Sequence, residues 1–364
     1  MSGNYPGMKK KEFDTPALCL DIENVEKNLN NMANFFSELP ASLRPHFKTH
    51  KSPILAQMQL EAGAIGITCA KLGEAEILAQ AGIKDILIAN QIVDPFKIVR
   101  LINLSAYTEV MVAVDSVENI VQLDSAASEK GVRLRVLIEI DIGMGRCGVA
   151  PGKNALSLAH EIISSSSLRF EGLMGYEGHA VMISDPIERK RTAEKAMALL
   201  VTTSNMIRES GIPVGVVSGG GTGTYAISGQ YTGVTDIQAG SYLTMDSQYH
   251  ENVGIKEFNY ALTLITTVIH INGDRAITDA GMKSLSADFG MPVVINPAGW
   301  GVSNLAEEHG FLKQSGGSRL QVGDKVEIVP SHGCTTINLH DVFHVVRNGK
   351  LEAIWPIPGR GKSN

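Results

Sequence analysis

The stretch Arg44-Pro45-His46-Phe47-Lys48-Thr49-His50-Lys51 sets a lysine among other cationic side chains at the end of a short strand-like run. Neighbouring positive charge and partial burial both disfavour an ammonium group. Lys48 is therefore a candidate for a neutral amine able to attack an aldehyde near neutral pH and form a Schiff base. The competing reading is a solvated basic turn, since lysines are mostly surface charges. A second cluster is Ser218-Gly219-Gly220-Gly221-Thr222-Gly223-Thr224, followed by Ala239-Gly240-Ser241-Tyr242. Its glycines let backbone amides converge on an anion, and its hydroxyls add donors; a flexible tight turn is the plainer alternative. In Ser331-His332-Gly333-Cys334, an extended backbone would turn His332 and Cys334 to one face, where they could chelate a single ion. An imidazole with a thiolate favours zinc over magnesium or calcium, with manganese as the alternative, and leaves coordination positions open for water and a substrate hydroxyl. Against this stands a buried cysteine beside a structural histidine.

The elements that must position these residues alternate. Strand-like apolar runs fall at residues 43–50, 64–70, 85–90, 109–115, 134–141, 170–178, 214–221 and 236–243, with helix-like segments such as 53–62, 73–81, 117–130, 154–164 and 187–209 between them. Eight strands alternating with helices over about 200 residues is the count of a (β/α)8 barrel, an α/β fold whose chemistry sits at the C-terminal ends of its strands. A doubly wound open sheet competes, because alternation alone does not show closure. On the barrel reading Lys48 ends the first strand, Arg146 follows the fifth, Tyr176 lies near the end of the sixth, and the two glycine-rich turns follow the seventh and eighth. The last two positions are the usual phosphate site of this fold. An amine nucleophile and a phosphate cradle at one barrel mouth imply pyridoxal 5′-phosphate, with a cofactor-free class I aldolase as the alternative. After residue 255 the pattern becomes strand-like at 262–271, 275–279, 325–329, 335–339, 342–347 and 350–354, and Asn348-Gly349 is a two-residue hairpin signal. The expected organisation is a barrel over residues 15–250 and an antiparallel β-rich domain over 251–364, joined by residues 1–14.

Composition bounds the function classes. The 364 residues are 44% apolar and 19% charged, with a formal net charge of −6. That is ordinary for a globular enzyme, gives no basic footprint for nucleic acid, and comes with no apolar run long enough for a membrane span. The N-terminus has lysines but no following apolar core, so it reads as a polar tail, and the expected location is the cytoplasm. Cys19, Cys69, Cys147 and Cys334 contain no CxxC pair and are expected to be free thiols.

Seven motifs occur in order: RPHFKTHK (44–51), EIDIGMGRCG (139–148), VSGGGTGTY (217–225), QAGSYLTMD (238–246), TDAGMKSLSAD (278–288), SHGCTTINLHD (331–341) and VRNGKLEAIWPI (346–357). Together they resemble the D-threonine aldolase and D-serine dehydratase family of fold-type III pyridoxal-phosphate enzymes, relatives of alanine racemase. The resemblance spans residues 14–361. It implies an alanine-racemase-type barrel with a β domain, a homodimer with active sites near the interface, a small-molecule D-amino-acid substrate and a divalent metal beside the cofactor. It also implies Lys48 as the Schiff-base lysine, Arg146 as partner of the pyridine nitrogen, Tyr176 at the cofactor, and Ser218, Gly220–Thr222 and Gly240–Tyr242 as the phosphate site. Asp246 and Lys283 are candidates to line the site from the second domain, a surface ion pair being the alternative for Lys283.

Two reactions of β-hydroxy D-amino acids fit. Retro-aldol cleavage gives glycine and an aldehyde; elimination, of the D-serine or D-threo-3-hydroxyaspartate dehydratase type, gives ammonia and a 2-oxo acid. SGGGTGTY, QAGSYLTMD and the ending WPIPGRGK resemble the aldolase branch. Two positions depart from it. The aldolase branch carries an aspartate where Cys334 stands, and a histidine six residues after the tyrosine, where this chain has Met182; His179, three residues on, is the candidate substitute. Aldol cleavage is the expected reaction, with elimination, another D-amino-acid reaction such as racemisation, and a non-catalytic cofactor carrier as alternatives.

Overall fold

The computed structural model describes residues 3–364 and divides into two compact units. One comprises Met32–Lys48, Pro53–Gly240 and Lys362–Asn364; the other comprises the described residues up to Asn31, with Thr49–Ser52 and Ser241–Gly361.

The first unit is built on eight parallel strands: Ser42–Leu43, Ile67–Cys69, Asp85–Gln91, Glu109–Val114, Leu134–Glu139, Leu168–Met174, Val216–Gly219 and Asp236–Ile237. The ends of this ladder meet. His46 forms a parallel bridge with Thr68; the Ile65 N–H donates to the Leu43 carbonyl and the Thr68 N–H to the Pro45 carbonyl, both at 2.9 Å. The sheet thus closes as a barrel, and the open-sheet alternative falls. Leu87, Met111, Ala113, Leu137 and Met174 form one buried cluster, as residues two apart on parallel strands must when they share a face. Helices Pro95–Ser105 and Pro186–Glu209 begin with Asp-Pro. In each the aspartate carboxylate accepts two N–H groups of the first turn, where proline lacks one to offer.

The first strand is shorter than the apolar run at 43–50 predicts. Pro45 has no N–H for the ladder, and the chain turns into a 3₁₀ segment, Phe47–Thr49. Lys48 therefore sits in a turn beyond the strand.

The second unit is a nine-stranded sheet of Ala17–Asp21, Leu262–Asn272, Arg275–Thr278, Val293–Asn296, Trp300–Leu305, Gly310–Gln314, Lys325–Val329, Val342–Arg347 and Lys350–Pro356. Its pairings are antiparallel but for one: Ala17–Asp21, from the N-terminal part of the chain, pairs antiparallel with Leu262–Asn272 and parallel with Val342–Arg347. Ala17, Leu18, Cys19 and Leu20 are all buried, the continuous apolar run of a strand covered on both faces. Asn348 and Gly349 have φ of 50° and 71°, the left-handed pair that a type I′ hairpin turn requires. The strand expected at 335–339 is instead part of a short helix, Gly333–Ile337. Among the described residues no helix is long and apolar enough to cross a membrane.

Candidate active site

On the barrel unit, Lys48 is held by its own turn. Its N–H donates to His46 Nδ1 at 3.3 Å, and its side chain is half-buried. Lys48 Nζ lies 5.8 Å from the centroid of the Tyr176 ring, and Arg146 Cζ lies 5.9 Å from the same centroid. Lysine, tyrosine and arginine come from three different strand ends and meet at one aromatic ring. Of the cationic side chains expected around Lys48, Arg44 is balanced by carboxylates. It gives its guanidinium to Asp236 at 2.8 Å and Asp85 at 2.7 Å, carboxylates on two other strands of the barrel.

The loop carrying Arg146 is shaped by Asp141, whose carboxylate accepts the Gly143 and Gly145 N–H groups, each at 3.0 Å. Those bonds hold the Asp141 carboxyl below the usual range. Arg146 is half-exposed and reaches Glu139 at 3.9 Å, while Gln91 Nε2 donates to Glu139 at 2.6 Å. Burial lifts the Glu139 carboxyl above its ordinary range, against the pull of Gln91 and Arg146. His179 lies against this loop: a Cβ at Gly143, where φ is +118°, would stand 3.0 Å from His179 Cε1. His179 thus belongs to the same neighbourhood.

The glycine-rich turn after Val216–Gly219 abuts the tyrosine. A Cβ at Gly221 would come within 3.3 Å of Tyr176 Cε2, so the ring needs a glycine there. Glu177, fully buried, accepts from Gly220 N–H at 3.0 Å, Thr224 Oγ1 at 2.7 Å and Ser228 Oγ at 2.6 Å. The Gly221 N–H donates to Thr224 Oγ1 at 3.2 Å. Two amides that the sequence assigns to an anion are thus engaged within the protein. Ser218 is buried and accepts from Gln238 Nε2 at 2.9 Å, and Thr222 and Gly240 are buried.

In the β unit, His332 precedes the helix Gly333–Ile337, with φ −141° and ψ 108°. The two-residue spacing to Cys334 is therefore that of a helix start rather than of a strand. The pair is still adjacent: burial draws His332 down, but Cys334 and Asp288 beside it outweigh burial and raise it to about 9. His332 Nδ1 meets Asp288 Oδ2 at 2.7 Å, and Ser241 Oγ lies 4.0 Å from Cys334 Sγ. Asp246 is buried and accepts the Tyr249 and Gly333 N–H groups at 3.1 and 3.3 Å; burial pushes its carboxyl up to about 6. Tyr242 is buried with its ring 5.5 Å from that of Phe258. Lys283 is exposed and pairs with Glu308 at 2.6 Å and Glu307 at 3.6 Å, so the surface ion pair is the reading that stands for it.

Residues 20–248 match the alanine racemase N-terminal domain, and residues 261–346 match a putative serine dehydratase domain. The chain is 38% identical to a D-threonine aldolase of an Arthrobacter species, over 98% of this chain and 96% of that protein. It is 35% identical to a 3-hydroxy-D-aspartate aldolase of Paracoccus denitrificans, over 98% and 95%. The chain belongs to the D-threonine aldolase and D-serine dehydratase family. The crystal structure of D-threonine aldolase from Filomicrobium marinum superimposes with a TM-score of 0.96 at 36% identity, covering 99% of this chain and 100% of that one. The family is one of pyridoxal-phosphate lyases with the alanine-racemase-like fold.

The family's cofactor fits the barrel face: a lysine amine, a tyrosine ring and an arginine converge there, and glycine at 221 keeps side-chain bulk away. A divalent metal fits the β unit less completely. His332 and Cys334 supply two donors, and no group of three or more His, Cys, Asp and Glu side chains able to hold an ion occurs among the described residues. Three carboxylates in these neighbourhoods escaped sequence reasoning. Glu139 and Asp288 lie inside motifs quoted for the family, and Glu177 follows Tyr176 directly; each becomes visible only through its partners.

Proposed function

We propose that the chain is a D-threonine-aldolase-type lyase that splits β-hydroxy D-amino acids between Cα and Cβ into glycine and an aldehyde. The observation that carries this reading is the meeting of Lys48, Tyr176 and Arg146 on one barrel face, in a chain similar over its whole length to two aldolases. Pyridoxal phosphate, when bound, supplies the electron sink that accepts the carbanion left at Cα. Lys48 would hold the cofactor's aldehyde through its amine. Arg146 would set beside the cofactor ring a permanent cation that cannot give up its proton. On the barrel unit Ser218, Gly220, Gly221, Thr222 and Gly240 would hold the phosphate, with Ser241 and Tyr242 as the family's further candidates; Gly220 and Gly221 would serve by lacking side chains, since their N–H groups bond to Glu177 and Thr224.

His332 and Cys334 would hold a divalent ion, zinc by their donor chemistry or manganese, whose Lewis acidity polarises a substrate hydroxyl. His179 takes the hydroxyl proton as Cα–Cβ breaks, and Lys48 or Tyr176 returns a proton to Cα to complete glycine. We place the protein in the cytoplasm as a homodimer, a reading supported by four free cysteines and by the family.

A second reading has its own support. Cys334 stands where the aldolase branch carries aspartate, and the dehydratases favour the thiolate. In that reaction Lys48 removes the α-proton and hydroxide departs, giving ammonia and a 2-oxo acid after hydrolysis. Products distinguish the two. The expected result is glycine and acetaldehyde from D-threonine with added metal, no turnover by Lys48→Ala, and borohydride reduction fixing the pyridoxyl group on Lys48. Ammonia and 2-oxobutanoate without glycine would replace cleavage by elimination.

A further inference from the structure

We infer that Asp288 is the positioning residue of the metal centre: it fixes the tautomer and ring plane of His332, so that Nε2 is the ligating nitrogen. The inference rests on the proposed metal site at His332 and Cys334. An ionised carboxylate only accepts hydrogen bonds. The contact of 2.7 Å between Asp288 Oδ2 and His332 Nδ1 therefore keeps a proton on Nδ1, so that Nε2 is the nitrogen at which an ion would take the place of a proton.

Asp288 is itself held. Its Oδ1 accepts from Ser286 Oγ at 2.6 Å and Thr335 Oγ1 at 3.0 Å, so the carboxylate is tied both to its own loop and to the helix that carries Cys334. Phe289 closes the remaining freedom, its ring stacked on His332 at 4.1 Å and 2°. An imidazole with one face against an aromatic ring and one nitrogen bonded to an anchored carboxylate has little rotation left. Outer partners of this kind raise ligand basicity and are worth about 10- to 100-fold in metal affinity.

The experiment is equilibrium dialysis of the cofactor-loaded full chain against Zn²⁺ and, separately, Mn²⁺, for wild type, Asp288→Ala, Asp288→Asn and His332→Ala. Cofactor absorbance and unfolding in metal-free buffer are followed in parallel. Asp288→Ala should lose about 10- to 100-fold in affinity for the ion, and excess metal should restore its activity. Asp288→Asn, which can still accept from Nδ1 but carries no charge, should fall between Ala and wild type; it also serves as the readout should the alanine variant not fold. Cofactor absorbance should not change in either. If His332→Ala binds metal as wild type does, the metal site itself is misplaced. If His332→Ala loses the ion while both Asp288 variants bind it as wild type does, the site stands and the role given to Asp288 is wrong.

Discussion

Lys48 shows how far a single residue can be read before its neighbours are seen. Its type and place after a strand were legible, and the Tyr176 ring 5.8 Å from its amine accords with them. What was not legible is that one of its cationic neighbours, Arg44, is neutralised by Asp236 and Asp85, because no rule of spacing names those partners. His179 is the reverse case. Sequence left it between base and polar loop residue, whereas its ring lies over Gly143 in the loop that delivers Arg146. A positioned base is worth about 10²- to 10⁴-fold in rate. His179→Ala should therefore lower kcat for D-threonine cleavage by that factor with the cofactor spectrum intact, while Met182→His should change little. A His179→Ala enzyme within threefold of wild type would move the proton's acceptor elsewhere.

At the scale of elements, the turns and caps were easier to read than the short segments that carry function. Asn348-Gly349 announced its hairpin because few residue pairs tolerate two positive φ values. Residues 335–339 read as strand because Thr335, Thr336 and Ile337 are β-branched, yet those three lie in the helix Gly333–Ile337, whose Thr336 is buried with its Oγ1 accepting the Ser286 N–H at 3.2 Å. Tertiary partners overrode local preference there. The turn at residues 218–228 depends on one side chain in the same way. Glu177 answers three donors from Gly220, Thr224 and Ser228 without exposure to water. In Glu177→Gln an amide N–H₂ must face at least one of those donors, and a buried unsatisfied donor costs about 1–3 kcal/mol. Urea unfolding should show a loss of that size, and dialysis should show weaker retention of pyridoxal phosphate. A variant as stable as wild type with unchanged cofactor affinity would mean that the turn holds its shape without the carboxylate.

For the molecule as a whole, the alternation of strands and helices gave the barrel, but closure rests on contacts that alternation does not encode. The strands at the seam are short: Ser42–Leu43 and Asp236–Ile237 have two residues each, and His46 adds a single bridge to Thr68. So few ladder bonds leave the seam to its side chains. Arg44 sits at this point, 4% exposed, and bonds Asp236 on one flanking strand and Asp85 beyond the other. Gly66, between them, has no room for a side chain because the guanidinium fills it. Replacing the arginine leaves the buried Asp236 carboxylate without a counter-charge, and breaking such a pair on one side costs about 3–5 kcal/mol. Arg44→Met should therefore lower the unfolding free energy by that much, read as a lower urea midpoint at unchanged m-value. Arg44→Met combined with Asp236→Leu should cost less than Arg44→Met alone, since no lone charge remains. A single variant within about 1 kcal/mol of wild type, the worth of an exposed pair, would show that the barrel closes on its backbone and apolar core without this ion triad.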